Sequence, residues 1–334
     1  MKIVVRAPNW IGDSILATSA IESLSKNFPQ AQIWIAAKNW VKDLFSSCDF
    51  IKGIIPLPAT NGIKSLINSA QQIKKLRFST GVLFTNSFSS ALLFYLAKIP
   101  QRWGYSRDGR RLLLTKGIVS KREEGGSHQA NYYMNLITGL GLKASPPHLF
   151  FSLSQEEKTK AKEMLLSLYV DFNQPLIILS PGASYGPSKR WPAEKFARLA
   201  TLLQKKKKAN ILIVGYQNEA RLAESIASEM PKKPISLAGK TSLRQLAGLI
   251  SHADLFITND SGPMHMANAL KTPVAAVFGP TDPIITGPFQ EPSVVIKKEV
   301  TCWPCSYREC PFDHRCMLAI DPEEVFEACI NFLK

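Results

Sequence analysis

The sequence has no apolar run long enough to span a bilayer. It has no secretory signal either: Met1 to Arg6 carries one early lysine and then a short Ile-Val-Val strand. Both absences point to the cytoplasm. The loop after that strand, Ala7-Pro8-Asn9-Trp10-Ile11-Gly12-Asp13, is not G-x-G-x-x-G, which counts against a nicotinamide or flavin dinucleotide domain there. No fine internal repeat is visible. Acidic residues are scarce beside basic ones, 26 against 41, which leaves a formal net charge of +15 on 334 residues. Such an excess favours an acidic partner: nucleic acid, an anionic membrane surface or a phosphorylated substrate. No nucleic-acid-binding motif accompanies the charge, so nucleic acid is set aside.

Cysteine is sparse outside one segment. Of six cysteines, Cys302, Cys305, Cys310 and Cys316 fall in T-C-W-P-C-S-Y-R-E-C-P-F-D-H-R-C-M. The C-x2-C pair is metal-like, and four thiols could close a structural zinc site, although C-x5-C is loose for zinc. Unliganded or redox-active thiols are the competing reading, and a reducing cytoplasm argues against permanent disulfides.

What is present is an α/β pattern in two halves, a length that suits two domains with separate cores. Lys2 to Val5 reads as a strand, Ser14 to Asn27 as a helix and Ile33 to Ala36 as the next strand, a βαβ unit. Val82 to Thr85 and Ser87 to Ala97 read as a further strand and helix. Lys143 to Leu153, with Pro146-Pro147, breaks the pattern as a linker, so domains of 1–153 and 154–334 are expected. Ser154 and Glu157 then form a capping box for a helix to about Leu168. Strands at Leu176–Leu179, Ile211–Val214 and Leu255–Thr258 follow, and Glu323–Leu333 reads as a terminal helix.

The most informative stretch is Asp254 to Pro283. Asn259, Asp260, Ser261 and Gly262 are turn and N-cap types, Pro263 suits a first helical turn, and Val274–Phe278 is another strand. A helix N-terminus so placed at the carboxyl edge of a parallel sheet is an anion site, and phosphate is the expected anion; an ordinary capped helix would look the same. Two more loops fall at strand ends, where open α/β sheets bind ligands. Ser180 to Pro192 offers small residues and then Lys189 and Arg190. Gly215 to Glu219 places a carboxylate suited to ribose hydroxyls. Together the three loops describe a nucleotide-diphosphate cradle.

In these loops the chain resembles the ADP-heptose:lipopolysaccharide heptosyltransferase family. The resemblance rests on P-N-W-I-G-D at Pro8–Asp13, N-S-F at Asn86–Phe88, P-G-A-S-Y-G-P-S-K-R-W-P at Pro181–Pro192, L-A-G at Leu237–Gly239, T-N-D-S-G-P-M-H at Thr258–His265 and G-P-T at Gly279–Thr281. It implies a GT-B architecture, two Rossmann-like doubly wound domains facing a cleft. The donor would sit on the C-terminal domain and the acceptor on the N-terminal one, with the last helix packing back. It implies Asp13 as catalytic base and Lys189 as the group that stabilises departing diphosphate. It further implies donor contacts from Ser184, Tyr185, Arg190, Glu219, Thr241, Asp260, Ser261, Gly262 and His265. By residue type Asp13 equally fits an N-cap for the Ser14 helix, and His265 a packed core histidine.

The resulting expectation is an inverting, metal-independent transferase without a cofactor, acting on ADP-heptose and a heptosyl-Kdo-lipid A acceptor at the inner face of the cytoplasmic membrane. Heptosyltransferase I or a later core enzyme is the alternative within the family; a Rossmann-type nucleotide-sugar epimerase or oxidoreductase is the alternative outside it. Acceptor contacts are expected from Asn9 and Trp10, and from Arg107, Arg110 and Arg111. The last three belong to a basic span, Lys98 to Arg122, in which Trp103 and Tyr105 would be interfacial aromatics. A solvated basic surface is the plainer reading of that span. The run Lys205–Lys208 reads as solvated charge.

Overall fold

The computed structural model describes residues 1–59, 62–120 and 126–333. The chain forms two compact units, Met1–Ser152 and Leu153–Lys334. Lys121 and Arg122 of the basic span lie outside the described residues.

The N-terminal unit is a parallel sheet of β1 (Lys2–Arg6), β2 (Gln32–Lys38), β3 (Ile51–Leu57), β4 (Thr80–Leu83), β5 (Gln101–Tyr105) and β6 (Lys116–Ile118). Its order is β3-β2-β1-β4-β5-β6. Ile3, Val4 and Val5 are fully buried, as an all-apolar run in a central parallel strand requires. The chain winds outward from β1 to β3 and returns to pair β4 with β1, so the strand order reverses between β1 and β4. At that crevice an open α/β sheet accepts ligands.

The C-terminal unit repeats the plan with β7 (Leu176–Ser180), β8 (Asn210–Ile213), β9 (Ile235–Ser236), β10 (Leu255–Asn259), β11 (Val274–Phe278) and β12 (Ser293–Lys297). The order β12-β11-β10-β7-β8-β9 puts its reversal between β7 and β10. Trp191, Phe196, Phe256 and Phe278 are among the largest fully buried side chains, and Trp191 stacks edge-on against Phe196 at 5.0 Å. The entry helix Gln155–Ser167 carries the Ser154–Glu157 capping box. Glu157 also receives both arms of Arg244, at 2.7 and 2.5 Å, which ties this helix to Leu243–Ile250 and holds the carboxyl down at about 2.

Several sequence expectations shift. The first helix begins at Ile11 rather than Ser14 and breaks at Ala17 before Thr18–Asn27. Extended Trp10 is its N-cap and makes no side-chain capping bond, so Asp13 lies within the first turn and is not the cap. The fourth strand is Thr80–Leu83, two residues earlier than its apolar run suggests. The terminal helix spans Pro322–Cys329, and Ile330–Phe332 tightens to a 3-10 turn. Tyr105 is a buried β5 residue, 2% exposed, stacked on Tyr132 and donating to its carbonyl at 2.6 Å; it is no interfacial aromatic. Lys205, Lys206 and Lys207 close the helix Ala193–Lys207, where cations suit the dipole, and Lys206 covers the Phe326 ring.

Candidate active site

In the C-terminal unit the site grows from the ends of β7, β8 and β10. Asn259 terminates β10 fully buried, and its side chain fixes the neighbouring loop: Nδ2 donates to the Pro181 carbonyl at 2.7 Å, and Oδ1 accepts from the Trp191 amide at 3.0 Å. The loop after β7 is thereby held at both ends against β10. Asp260 follows, 6% exposed, and accepts from Thr281 Oγ1 at 2.7 Å and Thr286 Oγ1 at 3.3 Å. It also forms a close ion pair with Lys189, itself 7% exposed, whose Nζ lies 4.5 Å from the Tyr185 ring centroid. The helix Gly262–Ala269 starts at this point with Ser261 as N-cap and Pro263 in its first turn. Ser261 Oγ bonds Thr258 Oγ1 at 3.0 Å instead of capping, so it does not occupy the helix's leading N–H groups. With no side-chain cap on its leading amides, this helix end and its dipole suit an anion. His265 is buried one turn into this helix.

Glu219, at the end of the 3-10 turn Gln217–Glu219, is 6% exposed and accepts from the Tyr216 amide at 2.8 Å. Burial raises its pKa, opposed by that amide and by Arg190. A Cβ on Gly182 would run into this carboxylate, so glycine at 182 lets the β7 loop approach it. Gly239, at φ +74, similarly brings the loop after β9 against Gln217. Ser184 is exposed at the tip of the β7 loop, Arg190 is half-buried, and Thr241 precedes the Leu243–Ile250 helix, also half-buried. Tyr185 and Lys189 stand at Y-x-x-x-K spacing, but the Tyr185 hydroxyl is turned away to the Ser306 carbonyl at 2.7 Å, so the pair does not form a phenol–ammonium proton relay.

That last bond belongs to a contact the sequence did not announce. The cysteine segment packs on the Lys189 loop. Ser188 donates its amide to the Arg308 carbonyl at 3.2 Å and its hydroxyl to the Tyr307 carbonyl, while His314 Nε2 donates to the Ser188 carbonyl at 2.7 Å. The Arg308 guanidinium covers Tyr185 at 5.2 Å, and a Cβ on Gly186 would collide with the Arg308 carbonyl. Cys302, Cys305, Cys310 and Cys316 line one small cavity of about 10 Å³ together with Tyr307, Phe312 and Pro280. Burial, then the neighbouring thiols, raise the Cys316 pKa. Among the described residues no three His, Cys, Asp or Glu side chains are placed to hold a metal ion. The four thiols form no disulfide and pack with aromatic and proline neighbours.

In the N-terminal unit Asp13 is half-buried, and its Oδ1 accepts from Tyr133 Oη at 3.2 Å. Tyr133 comes from the helix Gln129–Gly139, and burial, then the Asp13 charge, raise its pKa well above the usual phenol value. The phenol's hydrogen bond orients the carboxylate. Asn9 and Trp10 are exposed beside it. Arg110 departs from expectation. It is 0% exposed, with Nε on the Tyr105 carbonyl at 2.8 Å, Nη1 on Thr85 O and Ser90 Oγ, and Nη2 on Asn86 Oδ1 at 3.4 Å. Its guanidinium is spent on the fold, and it orients Asn86 rather than touching an acceptor. Arg107 and Arg111 are exposed, and Leu112 beside them is 93% exposed.

Two Rossmann-like units, each gathering polar side chains where its strand order reverses, with a cation and a helix end together in the second, define a two-domain protein of the doubly wound α/β class. Residues 67–315 match the family model described as glycosyltransferase family 9 (heptosyltransferase). The lipooligosaccharide heptosyltransferase 2 of Haemophilus ducreyi is 32% identical over 89% of this chain and 88% of its own length. That of Campylobacter jejuni serotype O:2 is 30% identical over 100% and 99%. The solved structure of E. coli ADP-heptose lps heptosyltransferase II superimposes with a TM-score of 0.86 at 28% identity, covering 99% of this chain and 98% of that one. The chain belongs to glycosyltransferase family 9, with the GT-B fold of its heptosyltransferases.

Proposed function

We propose that this protein transfers heptose from ADP-heptose to the first inner-core heptose of Kdo-lipid A, with inversion and without a metal. The observation that carries the reading is the near-full-length similarity to proteins bearing the name heptosyltransferase 2, at 30–32% identity. In this reading Asp13 accepts the proton of the acceptor hydroxyl as its oxygen bonds to the anomeric carbon and the bond to ADP breaks. Lys189, released from Asp260 towards the diphosphate, and the Gly262 helix end take up the charge of departing ADP. Glu219 holds the ribose hydroxyls, with Ser184, Tyr185, Arg190, Thr241, Ser261 and His265 completing the donor side. Asn9, Trp10, Arg107 and Arg111 face the acceptor.

Among the described residues no helix is long and apolar enough to cross a membrane. The net charge of +15 and the exposed Arg111–Leu112 tip support work at an anionic lipid surface, the inner face of the cytoplasmic membrane. The test is to incubate purified protein with ADP-heptose and acceptors lacking either the first or only the second heptose. Product mass should show one heptose added to the acceptor lacking only the second. Addition solely to the heptose-free acceptor would make it a type I enzyme, and no addition to either would defeat the reading.

A further inference from the structure

The N-terminal unit contains a second polar feature beside the Asp13 loop: a cavity of about 210 Å³ lined by Arg6, Lys38, Asn9, Ser69, Ser87 and Ser90, among others. Arg6 ends β1 and Lys38 ends β2, so parallel pairing of these strands places two cations side by side at the carboxyl edge of the sheet. Ser87 and Ser90 come from the segment after β4, so the cavity opens where the strand order reverses.

Both cations are nearly buried, 4% and 8% exposed. Arg6 donates to the Ala7 and Ala36 carbonyls and, at 2.5 Å, to Asn9 Oδ1, all neutral acceptors; among the described residues it has no ion pair with a carboxylate. Lys38 donates to the Pro58 carbonyl at 2.7 Å. Burial lowers the Arg6 pKa to about 10, and burial and then Arg6 lower that of Lys38. Arg6, buried among neutral acceptors, bears such a desolvation cost until a ligand supplies the counter-charge. The serine hydroxyls and the Asn9 amide add neutral hydrogen-bonding groups of the kind that orient an anion.

We infer that this cavity is an anion subsite for a sugar-borne carboxylate or phosphate of the acceptor, with Arg6 and Lys38 supplying the charge. Its volume is below the roughly 300–1,000 Å³ of pockets that enclose drug-sized ligands, so it takes one anionic group and not a whole acceptor or a nucleotide. Assigning the anion to the acceptor rests on the transferase reading above; anion binding itself does not.

The experiment uses the full-length enzyme, Arg6→Gln, Arg6→Lys and Lys38→Gln, with folding checked by circular dichroism. Acceptor KM should rise on the order of 10- to 100-fold in Arg6→Gln and Lys38→Gln, the span of one charged hydrogen bond, and less in Arg6→Lys. The KM for ADP-heptose should stay within about twofold. Calorimetric titration with inorganic phosphate, and separately with free Kdo, should show one of them binding the wild type and losing affinity in Arg6→Gln. Binding of Kdo alone identifies a carboxylate subsite, and of phosphate alone a phosphoryl one. Should Arg6→Gln misfold, Lys38→Gln carries the same comparison. Folded variants with unchanged acceptor KM, or a wild type that binds neither probe, would overturn the inference. Probe binding lost in Arg6→Gln, with no transfer from ADP-heptose by the wild type, would leave the subsite standing and remove the transferase reading.

Discussion

Each unit buries cations near the crevice where its sheet reverses, and the two units compensate them differently. In the C-terminal unit Lys189 faces Asp260, and that carboxylate is further held by Thr281 and Thr286. In the N-terminal unit Arg6 faces carbonyls and an amide. A cation with its own carboxylate is stable without ligand, and an incoming diphosphate must compete for it. One with only neutral partners pays its desolvation cost until an anion arrives. Lys189 is thus neutralised within its own unit, and Arg6 is left without an ionic partner among the described residues.

The largest expected effect lies in the N-terminal unit but concerns chemistry. Asp13→Ala should lower turnover by about 10²- to 10⁴-fold at saturating donor, with ADP-heptose affinity unchanged, as loss of a general base does. Near-normal turnover would reduce Asp13 to the partner of Tyr133. Next comes stability. Asp260→Ala strands a buried ammonium and should cost about 3–5 kcal/mol in urea unfolding. Arg6→Gln, which removes a cation lacking an ionic partner, should cost far less. A double change, Lys189→Met with Asp260→Leu, should recover much of the stability while abolishing transfer; equal losses in all three proteins would erase the contrast between the units. A smaller effect tests the cysteine segment. Gly186→Ala should displace the Lys189 loop from Arg308 and cost roughly 1–3 kcal/mol of overpacking, with weaker donor binding. Donor KM left at the wild-type value would show that this contact does not position the loop.

The smallest effect is in acid. Glu157 is depressed to about 2 by Arg244, below its ordinary value of 4.5. Its folded-state pKa lies below the unfolded one, so the contribution is complete above about 4.5 and is lost as pH falls towards 2. On this partly exposed pair it should amount to about 1–2 kcal/mol. The difference in urea midpoint between wild type and Arg244→Met should therefore shrink between pH 5 and pH 3; a constant difference would assign the Arg244 contribution to packing.

The sequence made the second half more legible than the first. Strands with unbroken apolar runs, such as Val274–Phe278, and the Ser154 capping box carry local signals strong enough to survive folding. The β7 and β10 loops were readable because small residues, cations and cap types cluster there. Less visible was anything that depends on partners distant in sequence. Arg110 belongs to a run of exposed-looking cations, and only the tertiary structure shows it turned inward to Thr85 and Asn86. Arg6 and Lys38 stand 32 positions apart, and parallel pairing of β1 with β2 brings their strand ends together. The grip of Tyr307, Arg308 and His314 on Ser188 likewise spans more than a hundred residues; the dense cysteine spacing drew attention to metal and away from that contact.

In the proposed reaction the C-terminal unit holds the donor and the N-terminal one the acceptor. The most direct measurement is a full steady-state matrix, varying both substrates, for wild type, Glu219→Gln and Lys38→Gln. Glu219→Gln should raise the KM for ADP-heptose and leave that for acceptor unchanged, and Lys38→Gln should do the reverse. Both constants moving together in both variants would contradict the division.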